Sequence, residues 1–302
     1  MTTSAANGAV VVGVDATTHS DAALEWATRY ATAHHRPLLL VHAAGVPTVY
    51  ESLSGPTENR RELRIAGRRT TDRALGLVRQ QAPELEVRVH MALGIARDVL
   101  LDSIEGAHLL VVGSRGRGSL ASFVLGSVSV GMAAKAPCPV VVVRPIMARH
   151  EDSPYFGSVV VGVDATDLSQ AALEQAFDLA STEGRALVVM HAWGPGLVMY
   201  HQPPEIETFA GEEHHLALAE ALAGYAERYP DVAVTEYHTQ QEPGRELVRI
   251  SEDAYLVVVG SRGRSEARSV IFGSVSRYVV EHARCPVMVV RRPAPVAAVT
   301  SA

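Results

Sequence analysis

The chain alternates short apolar runs with longer amphipathic stretches, and it does so twice. Ala9 to Asp15 is nearly all apolar and rich in Val, the pattern of a strand buried on both faces. From Ser20, read as a helix N-cap, Ala23, Leu24, Ala27, Tyr30 and Ala31 recur at helical spacing. Pro37 to Ala43 reads as a second buried strand, Ala44 to Pro56 as a loop, and Thr57 to Gln81 as a long charged helix closed by Pro83. Leu85, Val87, Val89 and Met91 alternate with polar residues, which predicts a half-exposed strand at a sheet edge. Ala96 to Ile104 is short and helical, Ala107 to Val112 is a fourth strand, Gly126 to Ala136 a last helix and Pro139 to Val143 a last strand.

The order then repeats. Val10 to Thr17 recurs unchanged as Val159 to Thr166, and His42-Ala43 recurs as His191-Ala192. Aligned without gaps, Ala107 to Arg144 matches Ala254 to Arg291 at more than half of its positions. A period this long marks a duplicated domain rather than a solenoid unit. Strands alternating with helices need crossovers, hence parallel sheets covered on both faces. The expected fold is α/β: two tandem flavodoxin-like domains, each a five-stranded parallel sheet with helices on both faces. The expected divisions are a disordered N-terminus (1–8), a first domain (9–146), a linker (147–157), a second domain (158–292) and a disordered tail (293–302). In each copy the switch point would fall between the first and fourth strands, where ligands bind beyond the strands' carboxyl ends.

The chemistry concentrates there. Gly113-Ser114-Arg115-Gly116 is followed by nine residues and then Gly126-Ser127-Val128-Ser129; Gly260-Ser261-Arg262-Gly263 is followed by nine and then Gly273-Ser274-Val275-Ser276. Glycine permits close backbone approach, and a helix start offers N–H groups and the positive end of a dipole, so each copy reads as a phosphate cradle. Arg115 and Arg117, like Arg262 and Arg264, could contact phosphate or simply face solvent. The glycines could also serve turn geometry alone. Between the fixed points Gly118-Ser119-Leu120-Ala121 has become Ser265-Glu266-Ala267-Arg268 while the glycines and serines stayed, which favours a ligand. Ser119 stands where a P-loop needs Lys, and Ser265 breaks the dinucleotide fingerprint that Gly116-Arg117-Gly118 imitates, so both of those motifs are excluded.

Composition narrows the class. A formal charge of -6, with no basic run, argues against nucleic acid as a partner. No apolar stretch is long enough to span a bilayer, and Met1 to Gly8 lacks the layout of a signal peptide. Two cysteines suit a reducing compartment, so a cytoplasmic location is expected. His34-His35 and His214-His215 are adjacent pairs whose side chains should diverge into solvent, and no metal constellation is expected. His42 and His191 read as structural. Cys138 and Cys285 read as buried thiols, able to form a disulfide only if their strands meet.

Gly-x-x-Gly, nine residues, Gly-Ser after a Val-rich strand is similar to the ATP-binding signature of universal stress proteins. The opening Val-Gly-Val-Asp, the strand ending Val-His-Ala and the closing Cys-Pro-Val-Val-Val-Val carry the same resemblance. It covers both halves and implies one adenine-nucleotide site in each, with ATP as cofactor, with or without Mg²⁺. By that resemblance Gly13 and Asp15, with Gly162 and Asp164, hold the adenosine end, and the backbones of Val41 and Met190 bond adenine. Gly113, Gly116, Gly126, Ser127, Val128 and Ser129 take ribose and phosphates, as do Gly260, Gly263, Gly273, Ser274, Val275 and Ser276. It also implies that the last strands pair into an internal pseudo-dimer; a homodimer and an unidentified protein partner are further expectations. The function expected is a nucleotide-dependent regulatory switch in stress response or growth control, in which ATP orders the loop between Gly116 and Gly126. The alternatives are a weak ATPase or self-modifying phosphotransferase, and a flavodoxin-like FMN carrier, for which aromatic residues are scarce.

Overall fold

Val-rich runs with no polar face can only sit inside a sheet covered on both sides, and the chain places them there. The computed structural model describes residues 6–45, 56–115, 125–144, 150–164, 167–193, 214–261 and 272–291. The first half runs β1 (Val10–Gly13), α1 (Thr18–Ala33), β2 (Leu38–Ala44), α2 (Pro56–Gln81), β3 (Val87–Leu93), α3 (Ala96–Ser103), β4 (Leu109–Gly113), α4 (Ser127–Lys135) and β5 (Val140–Val143). The second half runs β6 (Val159–Val163), α5 (Asp167–Glu183), β7 (Leu187–Ala192), helical residues 214–222 (α6), α7 (Tyr225–Arg228), β8 (Val234–Thr239), α8 (Pro243–Ile250), β9 (Leu256–Gly260), α9 (Ser274–His282) and β10 (Val287–Val290).

The strand order is β3-β2-β1-β4-β5-β10-β9-β6-β7-β8. Every pair within a half is parallel, as expected, and β1 lies between β2 and β4. The halves join through β5 and β10, which pair antiparallel with Val142 opposite Val287 and Val140 opposite Val289. Two five-stranded parallel sheets therefore become one mixed sheet of ten strands. The pairing expected of the two last strands covers what would otherwise be two exposed apolar edges. The remaining edges are β3 and β8. Val89 on β3 is 45% exposed, in keeping with the polar alternation there.

Alternate side chains of each strand feed two cores. Val10, Val12, Leu38 and Leu40 pack with Ala23, Leu24, Ala27 and Ala31 of α1. Val11, Leu39, Val41, Leu110 and Val112 pack on the other face with Val99 and Leu100 of α3 and Met132 of α4. Burying each such Val or Leu contributes about 1.5–3 kcal/mol, which is why two Val-rich central strands can anchor a half.

Two expectations change in detail, and the reading of the cysteines as buried thiols holds. The first helix starts at Thr18, and its N-cap is Thr17, whose hydroxyl accepts from the Ser20 N–H at 3.2 Å. Ser20 is instead a buried first-turn residue. The His34 side chain is only 8% exposed and faces Asp178 of the other half, so it is not solvated. The last strands do meet, yet their register sets Cys138 and Cys285 at opposite ends of the pair, and no disulfide joins them. Burial pushes the Cys138 thiol up to about 11, so it is inert at neutral pH.

Candidate functional site

The crevice opens where the carboxyl ends of β1 and β4 diverge toward α1 and α4. After β1 the chain turns sharply. Asp15 Oδ1 accepts from the Thr17 N–H at 3.0 Å and the Thr17 hydroxyl at 2.7 Å, while the Asp15 N–H donates to Ser20 Oγ at 3.0 Å. Ala16 takes φ 64, a left-handed conformation that a non-glycine residue adopts only when its neighbours impose it. The Asp15 carboxylate is thus held half-buried at the mouth of the crevice. In the second half Asp164 Oδ1 accepts from Ser169 Oγ at 3.0 Å, the same pair of positions with the hydroxyl now donating to the carboxylate.

His42 and His191 brace these turns. His42 Nδ1 lies 2.6 Å from the Val14 carbonyl, and His191 Nδ1 lies 3.0 Å from the Val163 carbonyl. A carbonyl only accepts, so each ring carries its proton on Nδ1. A neutral His191 then accepts at Nε2 from His214 Nδ1–H, 3.2 Å away. His214 therefore points at the sheet and is not free in solvent, whereas His215 stays exposed as expected, with its ring resting on His238 at a centroid distance of 3.7 Å. The position each strand-end histidine shares in the repeat is the one sequence signal of this bracing role.

The β4-to-α4 connection contains two kinds of glycine. A Cβ on Gly113 would lie 2.6 Å from the His19 carbonyl oxygen, so the fold itself demands glycine there. Gly126, the N-cap of α4, has φ -65 and ψ 144, and a Cβ on it would meet nothing nearer than 3.5 Å. Gly273 caps α9 with φ -65 and ψ 150. Neither cap needs glycine for its backbone, and side-chain caps such as Ser or Asp would stabilise a helix start better. Each cap leads into an exposed serine, Ser127 or Ser274, and a first helical turn whose N–H groups have no intrahelical partner. Ser129 and Ser276 are buried and donate their hydroxyls to the Gly113 and Gly260 carbonyls, at 2.7 and 2.5 Å, fastening each helix to the strand before it.

In the second half these parts enclose a cavity of about 260 Å³. Gly162, Asp164, Met190, Gly260, Gly273, Ser274, Val275 and Ser276 line it, with Pro243 and Leu247 of α8 forming one wall. In the first half Gly13 pairs in register with Val41, whose carbonyl accepts from the Val14 N–H at 2.9 Å. Burial holds His19 below its usual value, and Arg115 and Arg144 hold it lower still against the pull of Asp15. Gly116, Arg117, Arg262, Gly263 and Arg264 lie outside the described residues, as does the loop expected to order on binding. Among the described residues no group of three His, Cys, Asp or Glu side chains could hold a metal ion, and no helix is long and apolar enough to cross a membrane.

Comparison with known proteins places these features in a family. The model of the universal stress protein family matches residues 7–144 and 156–291. Universal stress protein Rv2623 of Mycobacterium tuberculosis is 38% identical over 291 residues, covering 93% of this chain and 96% of its own. The crystal structure of a universal stress protein from Archaeoglobus fulgidus has the same fold, with a TM-score of 0.64, 20% identity, and coverage of 94% of this chain and 98% of its own. A universal stress protein of the same archaeon, solved in complex with dAMP, is 25% identical with a TM-score of 0.34 and covers 45% of this chain and 98% of its own.

Proposed function

This chain belongs to the universal stress protein family, and we propose that it is a nucleotide-dependent regulatory switch holding one ATP in each half. The observation that carries the reading is the pair of helix caps at Gly126 and Gly273. Their backbones are ordinary, and a Cβ on Gly126 would make only ordinary contacts at 3.5 Å and beyond, so packing does not demand glycine there; what supports an anion is a helix start whose first N–H groups lie at the positive end of its dipole. The phosphates would lie over Gly126 and Ser127, or Gly273 and Ser274. Asp15 or Asp164 would accept from the adenosine end, and the strand ends at Val41 and Met190 would flank the base. Arg115 would add charge in the first half. Ser129 and Ser276 would act by keeping each helix seated, since their protons are already committed. Mg²⁺, where it enters, would come on the phosphates rather than on a cluster of protein ligands.

Native mass spectrometry of the purified chain tests this directly. Two bound adenine nucleotides are expected, either co-purified or after addition of ATP. A chain that stays nucleotide-free in millimolar ATP overturns the reading. Steady release of phosphate with Mg²⁺, lost in the Asp15→Ala plus Asp164→Ala double variant, would convert the switch into an ATPase.

A further inference from the structure

Each half ends in an arginine that leaves its own domain. Arg144 follows β5 and Arg291 follows β10. Because these strands run antiparallel, the carboxyl end of each lies beside the amino end of the other. The last turn of the other half's phosphate-side helix ends there too. Arg144 Nη2 donates to the Val280 carbonyl at 2.5 Å and the Glu281 carbonyl at 2.7 Å, both in the last turn of α9. Arg291 Nη2 donates to the Ala134 carbonyl in the last turn of α4. Terminal helical carbonyls have no intrahelical donor, and they form the negative end of the helix dipole.

The residue before each arginine is tied to the opposite kind of feature. The Ser114 N–H, at the start of the first glycine loop, donates to the Val143 carbonyl at 2.8 Å. The Ser261 N–H donates to the Val290 carbonyl at the same distance. The anchor of one half's loop and the cap on the other half's helix are therefore consecutive residues. The arrangement occurs twice, and Ala134 and Glu281 are equivalent positions of the repeat, as the internal two-fold requires.

We propose that Arg144 and Arg291 are reciprocal positioning residues that couple the two nucleotide sites, each raising the anion affinity of the half it reaches into. The proposal rests on the nucleotide reading above and deepens it. A cation at the carboxyl end of α9 offsets the negative end of the dipole and so strengthens the positive potential at Gly273 and Ser274. The helix has nine residues, about 14 Å of rise, and one face, Ser276, Val279 and Val280, is buried, so on that side the charge acts through protein rather than through water. The Arg144 Nε is buried without a hydrogen-bond partner, and burial disfavours the charged form, so the helix end is what holds this cation in place. The rival is action on the arginine's own half, since Arg144 is also felt by His19.

Single-site backgrounds separate the two. Gly126→Asp and Gly273→Asp each put a carboxylate where phosphate would sit while supplying a good N-cap, so each should silence one site without unfolding the chain. ATP binding is measured by calorimetry on the full chain. In the Gly126→Asp background, Arg144→Gln should weaken the remaining second-half site roughly three- to tenfold, and Arg144→Lys should recover most of the loss. In the Gly273→Asp background the same Arg144→Gln change should shift affinity by less than about twofold. Arg291→Gln should give the mirror result, and it carries the test alone if Arg144→Gln does not fold. Equal or greater weakening of the arginine's own site, no weakening of the distant site, or failure of lysine to rescue overturns the coupling. No ATP binding by the unaltered chain overturns the nucleotide reading instead.

Discussion

In the first half Arg97 on α3 lies over Gly131 on α4, where an added Cβ would come 3.1 Å from the Arg97 Cδ. In the second half the small residue is on the other helix. Gly244 on α8 faces Tyr278 on α9, and a Cβ on Gly244 would lie 3.0 Å from the Tyr278 Cδ1. The volume at this helix contact is kept while the partner that supplies it has switched. One step along, Val99 sits buried in the first half, whereas the second half buries Glu246, which accepts from the Tyr237 hydroxyl at 2.7 Å and from Arg249 Nη2 at 2.6 Å. The outer helices diverge further: α2 is rich in arginine, and α6 and α7 are not. The crevice-facing glycines and serines and the crossing arginines are the same in both. Divergence is tolerated where a pair of side chains need only fill space, and it stops where a backbone faces the crevice or the other half.

The sharpest way to break the comparison is to disable one half. Gly126→Asp should leave one nucleotide site of two, with at least a hundredfold loss at the altered site from charge repulsion, read as calorimetric stoichiometry. If that one change empties both sites, the halves do not bind as equals. Next in size, Gly131→Tyr should cost about 1–3 kcal/mol in urea unfolding, because it sets two large side chains against each other. Adding Arg97→Gly, which imitates the second half, should recover at least half of it. Full additivity of the two changes would show that they do not share a contact.

Smaller effects distinguish the halves by charge. Arg249→Ala should cost about 1–2 kcal/mol, below the range for breaking a fully buried pair because the arginine is 53% exposed. The hydrogen bond from Arg249 holds the Glu246 carboxyl below its usual 4.5, so its contribution is present above that pH and lost as pH falls through the depressed value. His34 and His108 titrate earlier. Burial holds both below 6.5, with Arg36 lowering them further and Asp178 opposing, so the unfolded chain takes up these protons first. Their contribution is full above 6.5 and declines as pH falls from there. Melting temperature against pH should therefore fall in two steps, and His108→Gln should flatten the upper one only.

Much of this architecture is legible in the chain. The Val-rich runs, the alternation from Leu85 to Met91 and the helical spacing after Ser20 each depend on a local period, and each points to the right kind of element. The first helix starts three residues before the place its sequence suggests, because Ser20 and Thr17 can both cap and only the Asp15 turn decides between them. The two glycine stretches are visible as a motif, but which glycine packing demands, and which it does not, is not. Gly113 answers to the His19 carbonyl, a contact between segments far apart in sequence. His34 reads as solvated in the sequence because its pairing residue, Asp178, belongs to the other half.

The sequence by itself determined the doubled α/β order, the parallel halves and the place of the candidate site, because strand and helix periods and glycine spacing are local properties. Only the tertiary structure decided how the halves speak to each other. Arg144 reaches Val280 and Arg291 reaches Ala134 because β5 and β10 pair antiparallel in one register. A shift of that register by one residue would turn the arginines to the opposite face, and no local pattern in the chain specifies it.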